Sequence, residues 1–116
     1  MERVSIPWWE WLPWRHWRVV ATVEAADDVP QALPRRGAVL VGNAAHPKWL
    51  AFDCACRKGH RIMVSLDPRN RPCWRVSSTK RLTVSPSIDA WRGGTRCHFF
   101  IRDGRTIWAP TREQFR

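Results

Sequence analysis

The sequence predicts a mostly β protein: a single small antiparallel β domain, a meander or curled barrel, carrying an irregular Trp-rich N-terminal arm. Three observations predict it. From Ala38 onward, short segments rich in Val, Ile, Phe, Trp and Thr alternate with turn formers. Asp103-Gly104 separates the last two segments, and a two-residue reversal needs the positive φ that Asp and Gly tolerate. No segment sets apolar residues at helical spacing over three turns.

Taken in order, the expected strands are Trp17 to Glu24, Ala38 to Gly42, Trp49 to Asp53, Arg61 to Leu66, Cys73 to Ser77, Arg81 to Ser85, Cys97 to Arg102 and Arg105 to Ala109. A helix is expected only as a short piece, near the N-terminus or around Ile88 to Trp91. Residues 1 to 17 hold Trp8, Trp9, Trp11, Trp14 and Trp17, and Pro7 and Pro13 exclude a long helix there. Five large side chains gain by leaving water, so the arm is expected to pack on the β domain or on a second copy of it. The stretch Asp27 to Gly37, with two prolines and several turn formers, reads as a loop. The resulting division is an arm and loop over residues 1–37 and a β-rich domain over residues 38–116.

At 116 residues the chain has one domain's length, and 44% apolar residues exclude wholesale disorder. No apolar run approaches the roughly 18 residues of a membrane span, and the N-terminus shows no signal-peptide pattern. A soluble, cytoplasmic protein is expected, in which four cysteines are free thiols or metal ligands rather than disulfides. The formal charge of +10 comes mainly from arginines spread along the chain. Such a surface suits nucleic acid, an acidic protein, or simply water.

Three clusters carry residues capable of chemistry. In Cys54-Ala-Cys56-Arg-Lys-Gly-His60 two thiolates one residue apart can reach one zinc, with His60 as a third ligand and Cys73 or Cys97 as a fourth. Buried free thiols are the competing reading. In Leu82-Thr-Val-Ser85-Pro86-Ser87-Ile88, strand alternation puts Thr83, Ser85 and Ser87 on one side. Pro86 then marks an edge, a bulge or a turn, where a serine hydroxyl would be exposed. In Cys97-His98-Phe-Phe-Ile-Arg102, His98 and Phe100 face one way and Cys97, Phe99 and Ile101 the other. His98 is thus badly placed to pair with Cys97, but it can meet Ser87 if their strands are neighbours, the minimum for a base-activated nucleophile.

Together these residues resemble a family of small bacterial proteins of unknown function, encoded beside ubiquitin-like, E1-like and E2-like genes. The resemblance rests on Pro47 to Met63 around Cys54 and Cys56, on Pro72-Cys-Trp74, on Leu82 to Ile88, and on His98-Phe-Phe-Ile101 with Gly104 and Trp108. It implies a peptidase that trims or removes ubiquitin-like proteins, with Ser87 as nucleophile and His98 as base. Family members carry two further cysteines where this chain has Lys58 and Thr95, so only Cys54 and Cys56 remain of that ligand set. Little or no zinc is therefore expected, unless His60, Cys73 or Cys97 substitutes.

The preferred reading is a serine peptidase acting on the C-terminus of a bacterial ubiquitin-like protein, with E1-like and E2-like proteins as possible partners and no membrane. Asp89 and Asp103 are the nearby acids, and neither spacing decides between them as an orienting group. One alternative is a non-enzymatic basic β module that binds nucleic acid through stacked Trp and Arg. Another is a catalytically silent adaptor for the ubiquitin-like pathway.

Overall fold

A computed structural model describes residues 5–43, 45–92 and 95–109. Eight strands make two four-stranded sheets, each in sequential order. The first holds β1 (Arg18–Val23), β2 (Gly37–Gly42), β3 (Pro47–Asp53) and β4 (Arg61–Ser65). The second holds β5 (Arg75–Ser78), β6 (Thr83–Arg92), β7 (Thr95–Arg102) and β8 (Arg105–Trp108). The mostly β expectation holds, as meanders in two sheets rather than a closed barrel. All pairings are antiparallel except β1 with β2, which is parallel because the loop before Gly37 returns the chain to the start of β1.

The core follows from alternation. Leu50, Phe52, Ile62 and Val64 of the first sheet join Leu82, Val84, Ile88, Phe99 and Ile101 of the second in one buried cluster, closed by Trp17. In β2, Val39 and Val41 turn the other way and meet Val23 and Leu33, so this strand is covered on both faces. Its unbroken apolar run Ala38-Val-Leu-Val41 is the pattern expected of such a strand.

The second sheet departs from expectation in one place. β6 runs for ten residues through Pro86 to Arg92, where a strand ending at Ser85 and a short helix around Ile88 to Trp91 were expected. The pairing jumps from Val84↔Ile101 to Ile88↔Phe99, so β6 spends two extra residues across this interval. A bulge accommodates a residue that cannot donate to the ladder, and the strand resumes beyond it.

Against its own β domain the arm packs mainly through one tryptophan. Trp17 is buried, and its indole N–H donates to Thr106 Oγ1 at 2.7 Å while its ring meets Phe52 edge-on at 5.5 Å. Trp8, Trp9, Trp11 and Trp14 stay exposed on the single chain, Trp8 and Trp14 by 74% and 73%. The short 3-10 turn Trp8–Trp11 is held instead by its one acid. Arg18, almost fully buried, bonds the Glu10 carboxylate and the carbonyl oxygens of Glu10, His16 and Arg35. Burial pulls the Arg18 guanidinium below its ordinary pKa, and Glu10 works against that shift. The arm also reaches the β7–β8 turn, where the Trp17 N–H donates to the Gly104 carbonyl at 2.8 Å. There Asp103 and Gly104 both take positive φ, 51° and 77°, as the hairpin signal requires. An added Cβ at Gly104 would stand 3.0–3.2 Å from the His16 ring and Cβ.

No helix of the described residues is long and apolar enough to cross a membrane.

Candidate active site

The β6 bulge and the face alternation of β7 bring two polar side chains together on the outer face of the second sheet. Asp89 stands opposite His98 in the register, and Ser87 lies one bulge-shifted step away. Ser87 Oγ is 2.9 Å from His98 Nε2. With the proton on Nδ1, Nε2 accepts from the serine hydroxyl, the arrangement in which imidazole can remove that proton. His98 Nδ1 is buried and has no hydrogen-bond partner among the described residues. The ring instead lies against Phe100, tilted by 30° at 6.3 Å.

Neither acid near the pair orients His98. The Asp89 carboxylate accepts two bonds from the Arg96 guanidinium, at 2.9 and 2.7 Å. That hydrogen bonding keeps its carboxyl below the ordinary pKa, against a smaller cost of burial and with help from the charges of Arg96 and His98. Asp103 pairs with Arg81 at 3.2 Å. Ser85 is exposed in the same bulge, and no hydrogen bond ties it to His98.

One contact escaped the sequence reading. The Trp74 indole N–H donates to the Ser87 carbonyl at 3.1 Å, which pins the serine backbone from the residue just ahead of β5. The Trp74 N–H in turn donates to the Ser65 carbonyl of the first sheet at 2.7 Å. A lone tryptophan after cysteine gives no local signal of this, because the contact exists only once the sheets are packed.

Behind this face lies the cysteine cluster. The chain leaves β3 at Asp53, turns, and enters β4 at Arg61; the Cys54 N–H donates to the His60 carbonyl at 2.8 Å and the Arg57 N–H to the Cys54 carbonyl at 3.0 Å. Arg57 and Gly59 take positive φ to make the reversal. Cys97 reaches the same point from β7. The ligand atoms of Cys54, Cys56, His60 and Cys97 all lie within 4.8 Å of one another. Tetrahedral zinc with Zn–S bonds of about 2.3 Å needs edges of about 3.8 Å, so contraction of about 1 Å or less closes the cage. The donor set suits zinc.

Two of the three substitutes the sequence offered, His60 and Cys97, thus stand beside Cys54 and Cys56. Cys97 stands two residues beyond position 95, the step that preserves a strand's face, and His60 stands two beyond position 58. Cys73 is not among the four. Burial pushes the Cys54 thiol up to about 12. Cys56 is held below its ordinary value: burial opposes this, but the hydrogen bonds from the Lys58 backbone, Cys54 and Cys97 together with the Lys58 charge outweigh it.

No curated protein matches the chain, and no solved structure does. A family profile described as bacterial ubiquitination-like system serine protease (BubE) matches residues 25–109, which includes the Ser87–His98 pair and the cysteine cluster. By that match over most of its length, the chain belongs to the BubE family of serine proteases of bacterial ubiquitination-like systems.

Proposed function

We propose that this protein is a serine peptidase that cleaves at the C-terminus of a bacterial ubiquitin-like protein. The observation that carries the reading is the 2.9 Å contact between Ser87 Oγ and His98 Nε2 on a solvent-facing bulge. Ser87 attacks the carbonyl after the tail's last residue while its proton passes to His98. His98 then returns that proton to the leaving amine, and water hydrolyses the acyl-serine by the reverse route. The pair works as a dyad, with the imidazole steered by Phe100 and the serine backbone by Trp74. His98, Phe100 and Arg102 share the outer face of β7, and the Arg102 guanidinium lies over the Phe100 ring at 5.3 Å. That cation stands ready for an acidic group on the substrate.

We propose also that Cys54, Cys56, His60 and Cys97 hold a structural zinc. It would supply a cross-link between the β3–β4 turn and β7, with no part in bond cleavage.

The test is incubation with a ubiquitin-like protein bearing a C-terminal extension, alongside labelling by a fluorophosphonate probe. Wild type should cleave and label, and Ser87→Ala should do neither. Cleavage by Ser87→Ala that is lost in Cys97→Ala or with chelator would overturn the serine mechanism. Binding of the ubiquitin-like protein with no cleavage and no labelling would favour the adaptor. Salt-sensitive binding to single-stranded DNA without labelling would favour a nucleic-acid module.

A further inference from the structure

A concavity lies apart from the dyad. A cavity of about 480 Å³ opens between the loop before β2, the β3–β4 turn and β8. Its volume is that of a small-molecule site. Trp17, Leu33, Pro34 and Ala55 provide apolar floor, and the half-exposed Trp108 indole, braced on Phe99 at 5.3 Å, provides a flat wall. Ser87 and His98 are not among its lining residues.

Three arginines, Arg35, Arg36 and Arg57, line the same cavity. The acid in the lining is Asp53, and it is committed to Arg61 at 2.7 Å. Among the described residues Arg36 makes only long bonds of 3.4 Å, to the Pro13 and Arg15 carbonyls. The Arg35 and Arg57 guanidiniums have no partner among the described residues, and Arg36 and Arg57 crowd Arg35 enough to lower its pKa. Like charges drawn together without a counter-charge cost free energy that a bound anion would offset.

Arg36 and Arg57 have φ of 60° and 63°, and they flank the cavity from two different segments. At Arg57 that conformation serves the β3–β4 reversal, and the same turn brings its guanidinium to the cavity.

From this combination we propose that the cavity binds a small organic phosphate with a planar ring, of mononucleotide size: the ring against Trp108, the phosphate on Arg35, Arg36 and Arg57. Arginine forks match phosphate oxygens bidentately, and a flat indole offers the ring a stacking surface.

The test is calorimetric titration of the full chain with adenosine monophosphate, adenosine and inorganic phosphate in parallel. The monophosphate should bind more tightly than either fragment, and less tightly as salt rises. Arg35→Ala and Arg57→Gly, the latter suited to its positive φ, should each weaken binding by about tenfold or more, the worth of one charge-assisted hydrogen bond. Both side chains are exposed, so both variants should fold, and circular dichroism checks this. Arg75→Ala, on β5 away from the cavity, should leave affinity unchanged. Absence of heat at millimolar nucleotide would overturn the proposal, as would equal binding of adenosine or of inorganic phosphate. So would affinity indifferent to Arg35 and Arg57.

Discussion

Cys97 and His98 are neighbours in sequence whose side chains leave β7 on opposite faces, the thiol into the core beside Cys54 and the imidazole outward to Ser87 Oγ. The cysteine cluster and the polar pair are thus separated by the thickness of one strand. Chemistry on one side can be probed without touching the other.

For the dyad, Ser87→Ala and His98→Ala should each lower the rate of tail cleavage by roughly 10³-fold or more, since members of a nucleophile–base unit fail together. Ser85→Ala should stay within a few fold. The comparison is single-turnover cleavage of a ubiquitin-like protein with a C-terminal reporter. A Ser85 defect as large as that of Ser87 would move the nucleophile.

Asp89→Asn separates electrostatic support from orientation. Because Asp89 is held by Arg96 and not by His98 Nδ1, the variant should keep activity within about tenfold, whereas loss of a true orienting carboxylate costs about 10⁴-fold. It should also change the acid limb of stability. A carboxyl with a depressed folded pKa contributes stability that is full above its unfolded value of about 3.9 and fades as pH falls through the lower folded value. Wild type should therefore lose stability relative to Asp89→Asn as pH falls below about 4, read by urea melts at stepped pH.

Trp74→Phe keeps the ring and removes the donor to the Ser87 carbonyl. The expected loss of stability is about 0.5–1.5 kcal/mol, with a fall in kcat larger than any change in KM. An unchanged kcat would show that the bulge holds its shape without the indole.

On metal, the purified protein should carry one zinc per chain by elemental analysis, contrary to the count based on Cys54 and Cys56 alone. Cys54→Ser, His60→Ala and Cys97→Ser should each release it and lower the melting temperature, and Cys73→Ser should do neither. Cobalt substitution should give thiolate charge-transfer bands. Metal-free protein after refolding with zinc under reducing conditions would disprove the site.

In the arm, Trp17→Ala should cost about 3–5 kcal/mol, as expected for a fully buried large side chain. Trp14→Ala should cost no more than about 0.5 kcal/mol. Glu10→Ala, which strips the carboxylate from buried Arg18, should cost about 1–3 kcal/mol. Chemical denaturation of the three variants checks the order.

How much of this was legible in the sequence depends on the range over which the forces act. The faces of His98 and Cys97 follow from a period of two, and the β2 run shows burial on both sides, because both are local consequences of strand geometry. The length of β6 was hidden, since Pro86 reads locally as a stop and only the pairing with β7 shows a bulge that absorbs it. Composition suggested that the five arm tryptophans pack on the β domain or on a second copy of it. It could not show that Trp17 alone would have a cavity and a hydroxyl partner, with Glu10 and Arg18 fastening the rest. The sequence offered Cys54, Cys56 and His60 with either Cys73 or Cys97 as the fourth donor, and the choice of Cys97 was hidden because it meets the Cys54–His60 turn only when two sheets stack.

The Asp103-Gly104 turn answers to two masters. As a hairpin reversal it needs a residue that tolerates positive φ, which glycine does without strain and asparagine more readily than most others. But the missing Cβ is also the space into which the His16 imidazole fits, while the Gly104 carbonyl receives the Trp17 N–H and its own N–H reaches the Leu82 carbonyl. A side chain at this position would press on the His16 imidazole, so the cost of a substitution here reaches beyond the hairpin to the arm. The shortest-range signal in the chain thus doubles as the keyway for its longest-range attachment.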